Sequence, residues 1–186
     1  MRVLGFDPGT ATTGYGVVDQ TGSRLRHVAH GVISTPPDMP FQDRLAVIFR
    51  QVGELIQTHR PDAVAIEKLF FSQNVTTGIS VAQARGVIAL AAALEHVPLG
   101  EFSPLEVKNA TVGYGKATKK QVQEMVKILL NLEQIPRPDD AADALGIAIC
   151  QTYAGARAVN MLTSASQSAS RGSPVSKGAS RRKSGR

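Results

Sequence analysis

The sequence has few of the residues on which disulfide-rich, zinc-binding or membrane proteins depend. Its one cysteine, Cys150, cannot form an intrachain disulfide, and its neighbours Ala148 and Ile149 favour a role as a small core residue. The four histidines, at positions 27, 30, 59 and 96, show none of the spacings typical of zinc sites. No apolar run reaches the roughly 18 residues of a membrane span, and no signal sequence is recognisable. We therefore expect a soluble, cytoplasmic protein.

Excess positive charge is also absent from most of the chain, although the net charge is +6. Six basic residues and no acidic residue lie from Thr163 onward, which leaves 15 basic and 15 acidic residues in 1–162. We predict one globular domain over 1–155 and a basic, Ser- and Gly-rich tail over 156–186 that is largely disordered, because it cannot bury enough apolar surface. Such a tail could bind nucleic acid non-specifically or could simply aid solubility.

The start of the chain predicts a β-hairpin whose first strand ends in an acid. The apolar run Val3–Phe6 is typical of a buried strand, and Pro8 and Gly9 end it directly after Asp7. A second strand resumes at 14–18. A carboxylate at the end of a buried strand must be paired, bind a cation or shift its pKa. Asp7 is therefore a structural residue of the turn or a metal ligand, and this stretch alone leaves both open.

A second acid follows a second buried strand. After a predicted strand over 25–34 and an amphipathic helix over 41–59, the apolar run Ala63–Ile66 is followed directly by Glu67. Strands that are joined through a helical crossover run parallel. Asp7 and Glu67 should therefore emerge at the same edge of the sheet.

A long helix predicted over 75–96 has two stripes of potential contact residues. One stripe is Gln83, Val87, Leu90 and Leu94, and the other has only small residues, Ala82, Gly86, Ala89 and Ala93. We expect one face to cover the sheet. The other should meet a neighbouring helix or the same helix of a second copy in a two-fold dimer.

Lysines crowd the start of the second of the next two helices. A strand is predicted over 97–102, and capping boxes at Ser103 and Thr118 predict the two helix starts. The lysines at this second start are Lys116, Lys119 and Lys120, and Lys108 lies on the preceding helix. Positive charge near a helix N-terminus opposes the helix dipole, whereas a bound phosphate would reverse this effect. A phosphate site and a solvated basic loop are both consistent with the pattern.

The last predicted helix begins at Pro138 with Asp139 and Asp140, and carries Asp143 in an otherwise apolar stretch. Asp139 suits an N-cap, but spacing alone leaves open whether Asp139 or Asp140 shares a face with Asp143. With the two strand-end acids, these carboxylates are hard oxygen ligands that suit Mg²⁺ or Mn²⁺. Two such ions about 3.5–4 Å apart would support phosphoryl displacement by an endonuclease or a phosphotransferase.

Several blocks in this order resemble the RuvC family of bacterial Holliday junction resolvases. The blocks are Phe6-Asp7-Pro8-Gly9-Thr10, Thr13-Gly14-Tyr15-Gly16-Val17, Ala65-Ile66-Glu67, Gln83-Ala84-Arg85-Gly86, Val112-Gly113-Tyr114-Gly115 and Asp140-Ala141-Ala142-Asp143-Ala144-Leu145. The resemblance covers about residues 1–155. It implies an α/β, ribonuclease H-like fold with a mixed sheet flanked by helices on both faces. It also implies a homodimer that makes paired symmetric nicks in four-way junction DNA during recombination and repair, and association with a branch-migration motor complex.

The resemblance also implies roles for individual residues. Asp7, Glu67, Asp140 and Asp143 match the metal-binding acids of the family, and the Asp-Ala-Ala-Asp register selects Asp140 over Asp139. They would hold Mg²⁺, with Mn²⁺ as an alternative, as two ions per subunit. Among the DNA-binding residues, Phe70 matches an aromatic residue that enters the junction, although the adjacent Phe71 could share this role. Lys108 and Lys119 match DNA-contacting lysines, and we expect Lys116 and Lys120 to assist them.

Three alternatives follow from the same residues. Another ribonuclease H-like nuclease, such as one that cuts RNA in hybrids, would use the same acids. An ATP-binding fragment of the actin and sugar-kinase type has a phosphate loop that also reads Asp-x-Gly-Thr, but it requires a second glycine-rich phosphate loop. A non-catalytic DNA scaffold would use the acids only for structure.

Overall fold

The computed structural model describes residues 1–69 and 75–170, except for the side chains of 75–77 and 156–170. In chain order, the elements of this part of the chain are β1 (Arg2–Asp7), β2 (Thr12–Thr21), β3 (Arg24–Ser34), α1 (Phe41–His59), β4 (Ala63–Glu67), α2 (Val75–Leu94), β5 (Leu99–Phe102), α3 (Pro104–Val112), α4 (Lys119–Leu129) and α5 (Asp139–Ser170). The sequence predicts each of these elements, although β2 is longer at both ends and α2 ends before His96.

The chain divides into two units, Met1–Ala154 and Gly155–Arg186. Helix α5 begins in the first unit and continues to Ser170. The predicted domain boundary at residue 155 and the predicted disorder of the basic tail stay predictions. Within the described residues, no helix combines the length and the apolar character needed to cross a membrane.

The strands form one mixed sheet in the order β3-β2-β1-β4-β5. Strand β1 pairs antiparallel with β2, as the hairpin predicts, and parallel with β4, as the helical crossover predicts. Strand β5 joins parallel to β4. The carboxyl ends of β1, β4 and β5 therefore lie at the same edge of the sheet.

Helices cover both faces of this sheet because alternate residues of a strand point to opposite sides. In β1, Leu4 and Phe6 are fully buried in a core with residues of α1 and α2. Val3, on the opposite face, is buried in a second core with residues of α3, α4 and α5. Cys150 belongs to this second core, as predicted. This arrangement confirms the predicted α/β mixed sheet with helices on both faces.

Helix α5 lies directly against β1 and β2 because glycine occupies the contact positions. A Cβ atom at Gly5 would lie 2.3 Å from the main-chain oxygen of Ala144, and one at Gly14 would lie 2.0 Å from the main-chain oxygen of Asp140. Real Cβ atoms do not approach backbone so closely, so any side chain at these positions would push α5 away from the sheet. The contact places the first turn of α5 over the carboxyl end of β1.

The prediction for the faces of α2 is wrong in one respect. The buried side of α2 consists of Ala84, Ile88, Ala91 and Ala92, and of the two predicted stripes only Val87 packs against this core. On the predicted stripes, the side chains of Leu90 and Leu94 are 54% and 59% exposed. A Cβ atom at Gly86 would meet no atom within 4 Å. The small-residue stripe is therefore not used for close packing at Gly86 within this chain.

The helix starts follow the predicted caps at α3 and α4 but not at α5. Ser103 and Thr118 both form complete capping boxes, with Glu106 and Gln121 as their partners. Asp139, predicted as the N-cap of α5, is instead its first residue. The Asp139 carboxylate pairs with Arg137, so it does not cap the helix.

Candidate active site

Two acids meet at the carboxyl edge of the sheet, as the sequence predicts. Phe6 pairs with Ile66 in the parallel register of β1 and β4, so the next residues, Asp7 and Glu67, lie side by side. Ala65 belongs to the core under α5, whereas Ile66 belongs to the opposite core. Glu67 therefore continues on the α5 side of β4. Asp7 lies on the same side because it alternates with Phe6.

The first turns of α5 bring the helical acids to these strand ends. Asp7 pairs with Gly14 in the β1–β2 register, and the backbone of Asp140 lies directly on Gly14. Asp143 lines a pocket with Asp7 and Glu67. Asp140 does not line this pocket, but its charge raises the pKa of both Asp7 and Asp143. The structure thus brings together the four acids that the sequence predicts.

The pocket has a volume of about 210 Å³ and an apolar wall on one side. Its lining residues are Asp7, Glu67, Pro104, Val107, Lys108, Lys119, Val122, Asp143 and Ile147. The apolar residues come from α3, α4 and α5, whose positions follow from the second core. This wall removes water from the carboxylates and makes their charged forms less favourable.

Burial and mutual repulsion shift the pKa values of these acids upward. Burial raises the pKa of Asp7 to about 7, and the charges of Asp143, Glu67 and Asp140 add to the shift. Burial, followed by the charge of Asp143, also raises the pKa of Glu67. The pKa of Asp143 is raised mainly by burial, although Lys119 opposes the shift. Several carboxylates therefore compete for ionisation in one small space.

Lys119 is the cation that partly offsets this repulsion. Its Nζ atom lies 2.7 Å from the Asp143 carboxylate and 3.9 Å from that of Asp139. The hydrogen bond to Asp143 raises the pKa of Lys119, and the lysine charge lowers the pKa values of Asp7 and Glu67. The capping box at Thr118 sets the start of α4, which directs this first helical residue to the pocket.

The other predicted DNA-binding residues lie at different distances from the acids. Lys108 lines the same pocket, whereas Lys116 and Lys120 are exposed and do not. Phe70, like Phe71 beside it, lies outside the described residues.

The carboxylate oxygens of these acids suit a hard divalent cation. Carboxylate oxygens with little compensating charge are the ligands that Mg²⁺ and Mn²⁺ prefer. Among the residues in 1–69 and 75–170, no three His, Cys, Asp or Glu side chains already meet closely enough to hold a metal ion.

One residue near the acids has a contact that sequence reasoning missed. Arg85 of α2 donates a hydrogen bond from Nε to the main-chain oxygen of Glu67, at 3.3 Å, and its Nη2 atom pairs with Glu101 of β5. The only sequence signal was the Gln-Ala-Arg-Gly block, where a charged residue interrupts small and apolar residues.

We expect Asp7→Asn to stabilise the metal-free protein at pH 8 but not at pH 4. The folded-state pKa of Asp7, about 7, exceeds its ordinary value of 3.8, so the free energy of unfolding falls as pH rises between these values. Asparagine does not ionise, so Asp7→Asn avoids this loss of stability. In chelator, the midpoint of thermal unfolding at pH 8 should rise, by about 2–4 °C for each kcal/mol of stability that the substitution restores in a protein of this size. Asp38→Asn, at an exposed loop position, is the control. Equal midpoints for Asp7→Asn and the parent at pH 8 would contradict the expectation.

Comparison with known proteins gives a consistent result. The family model described as crossover junction endodeoxyribonuclease RuvC matches residues 3–151. The proteins of that name from Brevibacillus brevis and Rubrobacter xylanophilus are 56% and 58% identical to this chain, over 85% and 81% of its length and 94% and 84% of theirs. The solved structure of Thermus thermophilus RuvC in complex with Holliday junction substrate has a TM-score of 0.79 at 36% identity, over 83% of this chain and 94% of that one.

These similarities confirm the resemblance seen in the sequence, together with the predicted ribonuclease H-like fold. The matched region contains both strand-end acids, α2, Lys108 on α3, the lysines at the start of α4, and the first turns of α5. On this evidence, the chain belongs to the RuvC family of crossover junction endodeoxyribonucleases.

Proposed function

We propose that this chain is an endodeoxyribonuclease that resolves four-way (Holliday) DNA junctions by hydrolysing phosphodiester bonds. The observation that carries this proposal is the pocket in which Asp7, Glu67 and Asp143 lie with Lys108 and Lys119. Such a site combines ligands for divalent cations with cations for phosphates. Family membership supplies the substrate class, since a relative with the same fold has been solved with Holliday junction substrate.

We infer that Asp7, Glu67, Asp140 and Asp143 would hold divalent ions, Mg²⁺ or alternatively Mn²⁺, as two ions per subunit. This inference is supported by the pKa of Asp7, which is raised by burial and by the charges of the other three acids. When bound, such ions would activate a water molecule and neutralise charge on the scissile phosphate.

The remaining pocket residues bind the DNA backbone and exclude water. Lys108 and Lys119 lie beside the acids, so they are placed to contact phosphates next to the scissile bond. Lys119 would exchange Asp143 for a phosphate when the site is filled. Lys116 and Lys120, which are exposed, would contact more distant phosphates. The role of Phe70 in the junction stays a prediction.

The exposed face of α2 supports a homodimer. Besides Leu90 and Leu94, Ile79 is 51% exposed, so three large apolar side chains face solvent on one helix. A two-fold dimer would bury this surface and would provide two identical active sites, as paired symmetric nicks require. Roles in recombination and repair and association with a branch-migration motor are further proposals from the family.

Asp7→Asn should abolish cleavage without loss of junction binding. Removal of one ligand should take away several kcal/mol of transition-state stabilisation, so cleavage should fall by roughly 10³-fold or more. Binding should persist because no cation is lost from the surface. A synthetic four-way junction, assayed with and without Mg²⁺ and with each strand mapped for nicks, measures both. Asp38→Asn should cleave like the parent. If Asp7→Asn cleaves at the parent rate, Asp7 has no part in the reaction.

Lys119→Ala should weaken junction binding and reduce its dependence on salt. Each lysine–phosphate contact contributes about one unit to the slope of log K against log salt, so this variant should lose about one. Binding titrations in chelator at several salt concentrations measure the slope. Lys127→Ala, near the other end of the same helix, is the matched control. A slope equal to that of the parent would assign Lys119 only to its ion pair with Asp143.

Gly86→Gln should weaken the dimer. Space is open around Gly86 within the chain, so the larger side chain should leave the fold intact and obstruct only a closely packed second copy. Sedimentation velocity over a range of protein concentrations should show a shift towards monomer. Gly53→Gln, in the middle of α1 and also without neighbours within 4 Å, is the control for loss of a helical glycine. Unchanged assembly of Gly86→Gln would place the dimer contact elsewhere.

A further inference from the structure

Arg85 connects helix α2 to the ends of two neighbouring strands. Its Nε atom donates to the main-chain oxygen of Glu67 at the end of β4, and its Nη2 atom pairs with the carboxylate of Glu101 on β5. The arginine side chain is only 23% exposed. Two different nitrogens of one planar guanidinium group are thus engaged, which favours a fixed orientation.

The Glu67 carbonyl needs this donor because the sheet cannot supply one. In a parallel ladder, the main-chain oxygen of one residue accepts from the residue that follows its partner on the next strand. Phe6 pairs with Ile66, so the partner of Glu67 is Asp7 and the donor to its oxygen would be the residue after Asp7. That residue is Pro8, which has no N–H group. Arg85 therefore takes the place of a missing ladder hydrogen bond.

The other side of β4 is already held by an ordinary ladder bond. The N–H of Lys68 donates to the main-chain oxygen of Phe102 at 2.7 Å. The end of β4 is thus fixed towards β5 by the sheet, and towards α2 by a side chain. Without Arg85, the last peptide group of β4 would have no described donor at its oxygen on the side where Asp7 lies.

We propose that Arg85 is a positioning residue for Glu67: it substitutes for the N–H that Pro8 lacks and so fixes the main chain that carries this acid beside Asp7. The proposal rests on the metal-binding role of Glu67 in the proposed function. Groups that orient metal ligands typically affect metal affinity tenfold or more when they are removed. Arg85 does not line the pocket that holds the acids and lysines, so its removal should leave junction binding unchanged.

The first readout is hydrogen exchange, which needs no metal and no DNA. In Arg85→Met, which keeps the length of the side chain but removes its donors, the amide of Lys68 should exchange roughly fivefold faster than in the parent. Amides in the middle of β2 should keep their rates. Arg44→Met is the matched control, because Arg44 also donates from Nε to a main-chain oxygen, that of Met39, away from the site. If Arg85→Met does not fold, Arg85→Gln is measured in its place.

The second readout is the affinity for Mn²⁺, measured by paramagnetic resonance on the full-length protein. Arg85→Met should bind Mn²⁺ about tenfold more weakly than the parent, whereas its affinity for a four-way junction in chelator should change by less than about twofold. Arg85→Lys, which retains a single donor, should recover part of the loss.

The decisive variant is Pro8→Ala, which restores an N–H opposite the Glu67 oxygen. In this background, Arg85→Met should cause a smaller increase in Lys68 exchange than in the parent background, because the ladder bond can form. A merely structural arginine would show the same effect in both backgrounds. Exchange at Lys68 that is unchanged by Arg85→Met, or changed equally in the parent and Pro8→Ala backgrounds, would overturn the proposal. If the parent protein failed to cleave a four-way junction in Mg²⁺, the proposed function would fail instead, whatever these exchange rates were.

Discussion

Negative charge at the end of β1 is the constraint to which the surrounding structure responds. Asp7 is only partly accessible to solvent, and burial together with three further acids raises its pKa to about 7. A cluster of this kind is unfavourable for folding, because each carboxylate opposes the ionisation of the next. The fold tolerates it because the two cores on either side of the sheet are extensive and closely packed.

The same repulsion explains why cations gather around the pocket. Lys119 already pairs with Asp143, and it lowers the pKa values of the neighbouring acids. Its position opposes the dipole of α4, which is unfavourable for the helix alone. The repulsion among the acids and the lysine charge at the start of α4 therefore both reduce stability. Divalent ions bound to the acids and a phosphate beside the lysine would make both features favourable. Such a balance between stability and activity is common where catalytic groups with like charges must be held close together.

Much of this arrangement could be predicted from the sequence, because it depends on local rules. The meeting of Asp7 and Glu67 follows from two apolar strands joined by a helical crossover, and the capping boxes fix the starts of α3 and α4. The choice between Asp139 and Asp140 could not be made from spacing. Only the tertiary structure shows that the Asp140 backbone contacts Gly14 and that Asp139 pairs with Arg137.

Two other features also needed the tertiary structure. In α2, small and apolar residues occur on nearly every side, so periodicity did not identify Ala84, Ile88 and Ala91 as the buried face. The contact of Arg85 depends on strand register, since only the register shows that Pro8 stands where a donor to Glu67 is required. Neither hydrophobicity nor charge along the chain contains this information.

The contact of α5 with the sheet has a consequence for how the site can change. At Gly5 and Gly14, the nearest atoms of α5 are main-chain oxygens, so the strands and the helix meet backbone to backbone. The separation between the strand-end acids and the helical acids is therefore set by backbone thickness. Apolar residues elsewhere in the two cores can be exchanged during evolution or design without altering this separation, whereas gain of a single methyl group at either glycine would alter it at once.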